Sequence, residues 1–438
     1  MVSMTDMVIP WVLAGIPFAG ALVCLAFGSD PYRVKMCAIG FSVISLVATA
    51  VVANRLPIPS DGFLPLYLLL IAAMVATLGQ PVHEHHRLSW TLTLIFLGLG
   101  MAVLTGGNTF GPLCLILIML IIMFLLYRHH TTLWPISWWG IGSFGVGVVG
   151  AGLSLVAGPP VSSVASLATC AVLLPLMPLH DGYLTALTRL PGGLPPFIVV
   201  LLPVLGLHGL ATTMPTMPNE FVAVVSLLAL ASSLYGAIKA LAQSRVRLLV
   251  GYGSVSFFSI LWWFVAGAHT ATPRAAVLAG AVGLATGGLL VAWQVIRTRY
   301  GDDVDPQAVS GLAAVMPKYA VLFSLLGLAA MGIPPFGVFA GFMGLLLTAP
   351  PSSTIGLFIA LTAWLAASWY IMQMVQQLLF GTRRPDLRYA DLRHPEFSSL
   401  LIVVLALLAL GLAPISLYSS NQDPNKTAAT EQSLAWNR

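Results

Sequence analysis

Few residues in this sequence could do chemistry, and the most suggestive of them follow one interrupted apolar run. The stretch Ala171-Val-Leu-Leu-Pro175-Leu-Met-Pro178-Leu-His180-Asp181-Gly-Tyr holds two prolines three residues apart and ends in an imidazole and a carboxylate. Proline removes a backbone donor and clashes with the preceding turn, so a helix carrying this run must open near Pro175. Two readings stand for His180 and Asp181. They cap an opened helix near the cytoplasmic face, or they end a half-channel that reaches the break from inside. Lys239 lies about one turn from the inner end of its own apolar run and can snorkel to the interface. If it converges with His180 and Asp181, the three form a minimal ion site. His208 stands alone among Leu and Gly and reads as a hydrogen-bonded core residue before a relay, while counting with His180, Asp181 and Lys239 among the candidate ion-path residues.

The other histidines are clustered. His83-Glu84-His85-His86 and His129-His130 supply five of the nine. Imidazole and carboxylate are transition-metal ligands, but this spacing matches no metal motif, so no metal site is expected. The clusters, with Arg245, Arg247, Arg383 and Arg384, read instead as a docking surface for a soluble partner or for lipid. The basic stretch from Gly381 to His394 suits an anionic headgroup or an acidic partner. Cys24, Cys37, Cys114 and Cys170 sit in apolar runs without paired spacing, as small buried hydrophobes do. No phosphate-cradling loop, dinucleotide fingerprint or nucleophile elbow is present, so neither catalysis nor a cofactor is expected. The net charge of +5 comes from short basic loops and implies no nucleic-acid partner.

The elements that must position these groups are membrane helices. Hydrophobic residues make up 58% of the chain and charged residues 8%, against about 25% charged in a soluble domain. Residues 8–27 are long enough to span, and no basic segment precedes them, so no cleavable leader is expected. By the twenty-residue rule the spans fall near 8–27, 34–53, 63–79, 88–105, 109–127, 136–157, 161–180, 195–213, 219–242, 248–268, 274–296, 317–348, 354–380 and 397–417. The expected fold is therefore all-α and polytopic, with about fourteen transmembrane helices in one integral domain, residues 1–420. Residues 421–438 form a polar tail with no fixed structure expected. With both termini outside, fourteen of the nineteen Lys and Arg residues face inward, as the positive-inside rule requires.

A second proline break occurs at Met331-Gly-Ile-Pro334-Pro335-Phe-Gly337, five spans after the first and running the other way. That layout predicts two inverted five-helix repeats, about 88–213 and 219–380, each with a broken helix. Irregular backbone at membrane depth survives only where protein or water satisfies it.

At these residues the chain resembles the antiporter-like membrane subunits of respiratory complex I and of multi-subunit cation/proton antiporters. Ala171 to His180 looks like that family's broken-helix motif. Ala242-Gln-Ser-Arg-Val-Arg247-Leu-Leu-Val-Gly-Tyr252-Gly-Ser254-Val-Ser256 is similar to its AQ-x-D-x-K-R-L-hydrophobic-A-Y-S-S-V-S loop and helix start. Gly332 to Gly341 resembles its second broken helix, and Asp61-Gly-Phe-Leu-Pro-Leu the start of its third span. The resemblance implies a mid-membrane row of lysines, a glutamate and histidines that moves protons. Carried over residue by residue, those positions fall on Leu117, Leu173, Val204, Val282 and Phe342, all apolar.

A charge at the bilayer centre costs ~3 kcal/mol or more and is kept where something uses it. The resemblance, with those replacements, implies a retained fold and an erased proton line: a scaffold and docking subunit of a larger membrane complex, with a soluble cytoplasmic-side partner, in a bacterial inner membrane. The alternatives are proton or sodium movement through His180, Asp181 and Lys239, and the membrane half of an inorganic-carbon uptake system.

Overall fold

The computed structural model describes residues 4–27, 30–55, 63–82, 87–106, 110–128, 137–300, 309–348, 353–381 and 390–413. Among them every regular element is helical. In chain order these are α1 (Met4–Ala26), α2 (Pro31–Arg55), α3 (Leu64–Gly79), α4 (Arg87–Thr105), α5 (Phe110–Arg128) and α6 (Trp138–Val156). Then come α7 (Val161–Leu173), α8 (Asp181–Arg189), α9 (Leu194–Thr213), α10 (Asn219–Leu241), α11 (Val246–Ala268) and α12 (Pro273–Tyr300). The last are the short α13 (Leu312–Val315), α14 (Pro317–Ala330), α15 (Gly337–Thr348), α16 (Thr354–Leu379) and α17 (His394–Leu412). Ten of these helices are long and apolar enough to cross a membrane.

The shorter helices explain themselves at the prolines. α7 ends two residues before Pro175, and the chain re-enters helix at Asp181. At 1.5 Å per residue α7 and α8 are about 20 Å and about 14 Å long, so together they make one broken span. This corrects the expected boundary at residue 180. An apolar-run rule stops at the first charge, and here the first charge lies in the middle of a span that continues to Arg189. Asp181 is tolerated there because a carboxylate in the first turn of α8 complements the positive end of the helix dipole. α14 and α15 flank the second break in the same manner, around Met331 to Phe336.

α12 forms the centre of the bundle, buried along almost all its length, with α9 and α11 beside it. It approaches α9 and α15 closely: a β-carbon at Gly287 would lie 2.8 Å from the Pro196 carbonyl oxygen, and one at Gly341 would lie 2.7 Å from Leu278 Cα. α2, α5, α6, α10 and α16 present long apolar faces outward. Bonds between helix ends gather many basic residues on one face. Arg247 donates to Thr188 O at 2.9 Å, joining α11 to the end of α8. Arg299 pairs with Glu396 at 2.6 Å, joining α12 to α17. Lys35 is buried and donates to Leu78 O at 3.0 Å, joining α2 to the end of α3. This side is called the basic face below.

Candidate functional site

The two breaks are the places where a membrane bundle could hold water, so the partners of their backbone groups decide what the chain can do. At the first, Leu174 N donates to Cys170 O at 2.8 Å and Leu176 N to Ala171 O at 3.1 Å, which closes the end of α7. The freed Leu174 carbonyl accepts the indole N–H of Trp262 on α11 at 2.9 Å. The Met177 N–H donates to Ser232 Oγ on α10 at 3.1 Å. Ser232 and Ser259 hydroxyls lie 2.8 Å apart, and Ser259 donates its only proton to Val255 O. Ser232 is therefore the donor within the pair. At the second break, Met331 O accepts the Trp364 indole N–H of α16 at 2.7 Å. Gly411 of α17 lies so close that a β-carbon there would overlap the Pro335 carbonyl. Pro175 is buried, whereas Pro178, Pro334 and Pro335 are exposed on the outside of the bundle.

His180 begins the second half of the first broken span. Its side chain is buried, with Nε2 3.6 Å from Asp181 Oδ1, and among the described residues neither ring nitrogen has a hydrogen-bond partner. Tyr235 of α10 stands edge-on to the imidazole at 5.3 Å between ring centroids, and Tyr252 of α11 lies 6.3 Å away. The Lys239 ammonium sits 5.6 Å above the Tyr235 ring, one turn nearer the basic face. The fold thus brings His180, Asp181 and Lys239 into one neighbourhood, joined through an aromatic ring. Among the described residues no ion pair links Lys239 to Asp181. Tyr235 escaped the sequence reading and Tyr252 entered it only as part of a motif; the one signal for Tyr235 was its four-residue spacing from Lys239, which puts them on one helix face.

A cavity of about 310 Å³ opens on the face opposite the basic one, between α4, α5, α6, α7 and α9. Ser154, Ser166, Thr169, Thr212 and His208 line it, and Leu173 stands at its inner end. His208 is exposed, which overturns its reading as a core residue. An isolated histidine on an apolar helix looks the same in sequence whether its face meets protein or a cavity.

The apolar positions carried over from the resemblance divide. Leu173, Val204, Val282 and Phe342 are all buried. Leu117 is 46% exposed on the outer face of α5, whereas Gly111, Pro112 and Leu115 of the same helix line the cavity. Leu115 and Leu117 are separated by about 200° around the helix, so the inward position on α5 belongs to Leu115.

Of the docking residues, Arg247 is engaged with Thr188 O, where a cation also suits the end of α8, and Arg245 is exposed before α11. His83, Glu84, His85, His86, His129, His130, Arg383, Arg384 and the tail after residue 413 lie outside the described residues. The largely buried Arg299–Glu396 pair, with Lys35 near enough to feel the Glu396 charge, had no counterpart in the sequence reading, because its members are far apart along the chain.

Two helices are broken at prolines: α7 and α8 pack among α5, α6, α9 and α11, while α14 and α15 pack on the continuous central helix α12. Residues 160–368 match the family described as NADH:quinone oxidoreductase/Mrp antiporter, TM. NADH-quinone oxidoreductase subunit M of Pseudomonas aeruginosa is 26% identical over 253 residues, covering 56% of this chain and 49% of that one. The Escherichia coli K12 subunit M is 27% identical over 256 residues, with the same shares covered. The chain thus spans about half the length of the curated relatives it matches.

Solved structures agree in fold. A chain of the membrane-bound sulfane sulfur reductase, an archaeal respiratory membrane complex, superposes with a TM-score of 0.77 at 14% identity, covering 93% of this chain and 95% of that one. A chain of the Mrp complex from Dietzia sp. superposes with a TM-score of 0.76 at 15% identity, covering 94% and 95%.

Proposed function

We propose that the chain is an antiporter-like subunit of a larger membrane complex, serving as scaffold and docking subunit with its proton path closed by hydrocarbon packing. One observation carries this reading. The carbonyls freed at both breaks are taken by the indoles of Trp262 and Trp364, so the opened backbone has protein partners where a conducting path would need water. The buried apolar side chains at Leu173, Val204, Val282 and Phe342 add nothing that binds a proton or holds water in place.

A finer architecture belongs to the same reading. Counting each broken pair as one span, and leaving out the four-residue α13, gives fourteen spans. The helices α4 to α9 and α10 to α16 then form two inverted repeats, with the broken span fourth in each. The basic face is cytoplasmic by the positive-inside rule, both termini are outside, and the membrane is a bacterial inner membrane. Other membrane subunits pack on the apolar outer helices, while a soluble partner and anionic lipid meet the basic face.

Proton flux in vesicles tests it. The scaffold reading expects the purified chain to leak no faster than empty vesicles, and to copurify with further subunits under mild detergent. A second reading rests on the His180–Tyr235–Lys239 neighbourhood: protons or sodium enter a reduced site from the basic face and must cross Leu174 to Leu179 to reach the cavity at Leu173. Flux above the empty-vesicle level that collapses in the His180→Ala, Lys239→Ala double variant would replace the first reading with the second.

A further inference from the structure

Between α11, α12, α15 and α16 lies a small second cavity of about 20 Å³, lined by Ser254, Thr286, Tyr370, Gly253 and Val282 among others. A site needs about 10–15 Å³ to admit one water, so this one has room for one. The Tyr370 side chain is buried to within 2% of its surface, and its hydroxyl has no hydrogen-bond partner among the described residues. Buried hydroxyls in folded chains nearly always find a partner, whether protein or water. Gly253 makes the space: a β-carbon there would lie 2.7 Å from Tyr370 Oη. In the loop-and-helix motif that this stretch resembles, the same position is a serine.

The donors around the cavity can be assigned. Ser254 Oγ donates its proton to Gly251 O at 2.7 Å. Tyr183 of α8 lies 2.9 Å from the same oxygen and must therefore be the donor to it. A serine oxygen has two lone pairs, so one remains for a donor from the cavity side. Tyr370 and Thr286 offer hydroxyls from α16 and α12.

We propose that this cavity holds a single ordered water that accepts from Tyr370, donates to Ser254 Oγ and bonds Thr286. It fixes α16 and α12 to α11 and, through Tyr183, to the second half of the first broken span. The bond directions make it a joint rather than a relay. Tyr183 and the water both donate toward Ser254, whose proton is committed to a backbone carbonyl, so no through-going donor order exists. The inference goes beyond the scaffold reading and does not depend on it, since a water joint can sit in a conducting or a silent chain.

The test compares unfolding midpoints of the full chain in detergent for Tyr370→Phe, Thr286→Val and the double variant. A bridging water predicts that each single change lowers the midpoint, and that the double is no lower than the worse single, because losing either partner releases the water. A midpoint raised by Tyr370→Phe would mean an unpaired hydroxyl in a dry void, and additive losses would mean two independent hydroxyls; either overturns the proposal. A density map of the unaltered chain that resolves ordered water decides the same point without any variant. It is expected to show one peak within hydrogen-bond reach of both Tyr370 Oη and Ser254 Oγ, and an empty void there would refute it.

Discussion

Replacing Trp262 by Phe tests whether the first break is dry. The indole N–H is 2.9 Å from Leu174 O, and both side chains are buried to 0% exposure. Two costs follow. Leaving a buried carbonyl without its donor costs about 1–3 kcal/mol. Shrinking the indole to a phenyl ring leaves roughly 40 Å³ empty, worth about 1 kcal/mol at ~24 cal/mol per Å³. The expected loss is thus about 2–4 kcal/mol, with the hydrogen bond the larger part. Thermal shifts in so long a chain are small, roughly 1 °C per kcal/mol, so an equilibrium denaturant titration in mixed micelles is the better assay. If water reaches the break it takes the place of the indole at the carbonyl, and the loss falls to the cavity cost of about 1 kcal/mol or less. A result that small would remove the main support for a closed path.

Two further outcomes follow from the same geometry. Leu173→Lys lines the 310 Å³ cavity and can extend its ammonium toward Thr169 and His208, whereas Val204 is buried and does not line that cavity. Leu173→Lys is expected to express and fold, and Val204→Lys to lose ~3 kcal/mol or more, read as yield and detergent stability; equal losses would show that the cavity is closed to water. Arg299→Met strands the buried Glu396 carboxylate and is expected to cost about 3–5 kcal/mol, while a matched apolar pair at 299 and 396 recovers most of it. Denaturant titration of the single and double variants checks this, and a single-variant loss under about 1 kcal/mol would mean the pair is solvated.

How much was legible in sequence depended on the range of the interaction. Pro175 and Pro334 mark the breaks because proline acts on its own helix, and the apolar run lengths locate the helices to within a few residues. The far end of the first broken span was misjudged because Asp181 is a first-turn charge of a new half-helix, which an apolar-length rule cannot recognise. Leu117 and Leu115 are alike in sequence, since only packing says which side of α5 faces inward. The same holds for His208, whose helix face turns out to border a cavity.

Composition and proline spacing by themselves determined that this is an all-helical membrane bundle with two opened helices and little charge inside, because burial in lipid and loss of a backbone donor are local, one-chain properties. Only the tertiary structure decided who satisfies the opened backbone. Trp262 is 88 residues from Leu174 in sequence and Trp364 is 33 from Met331, so no pattern along the chain couples them. It likewise decided that His180 and Lys239 share Tyr235, because that meeting depends on how the break before α8 is set against α10 rather than on either segment alone.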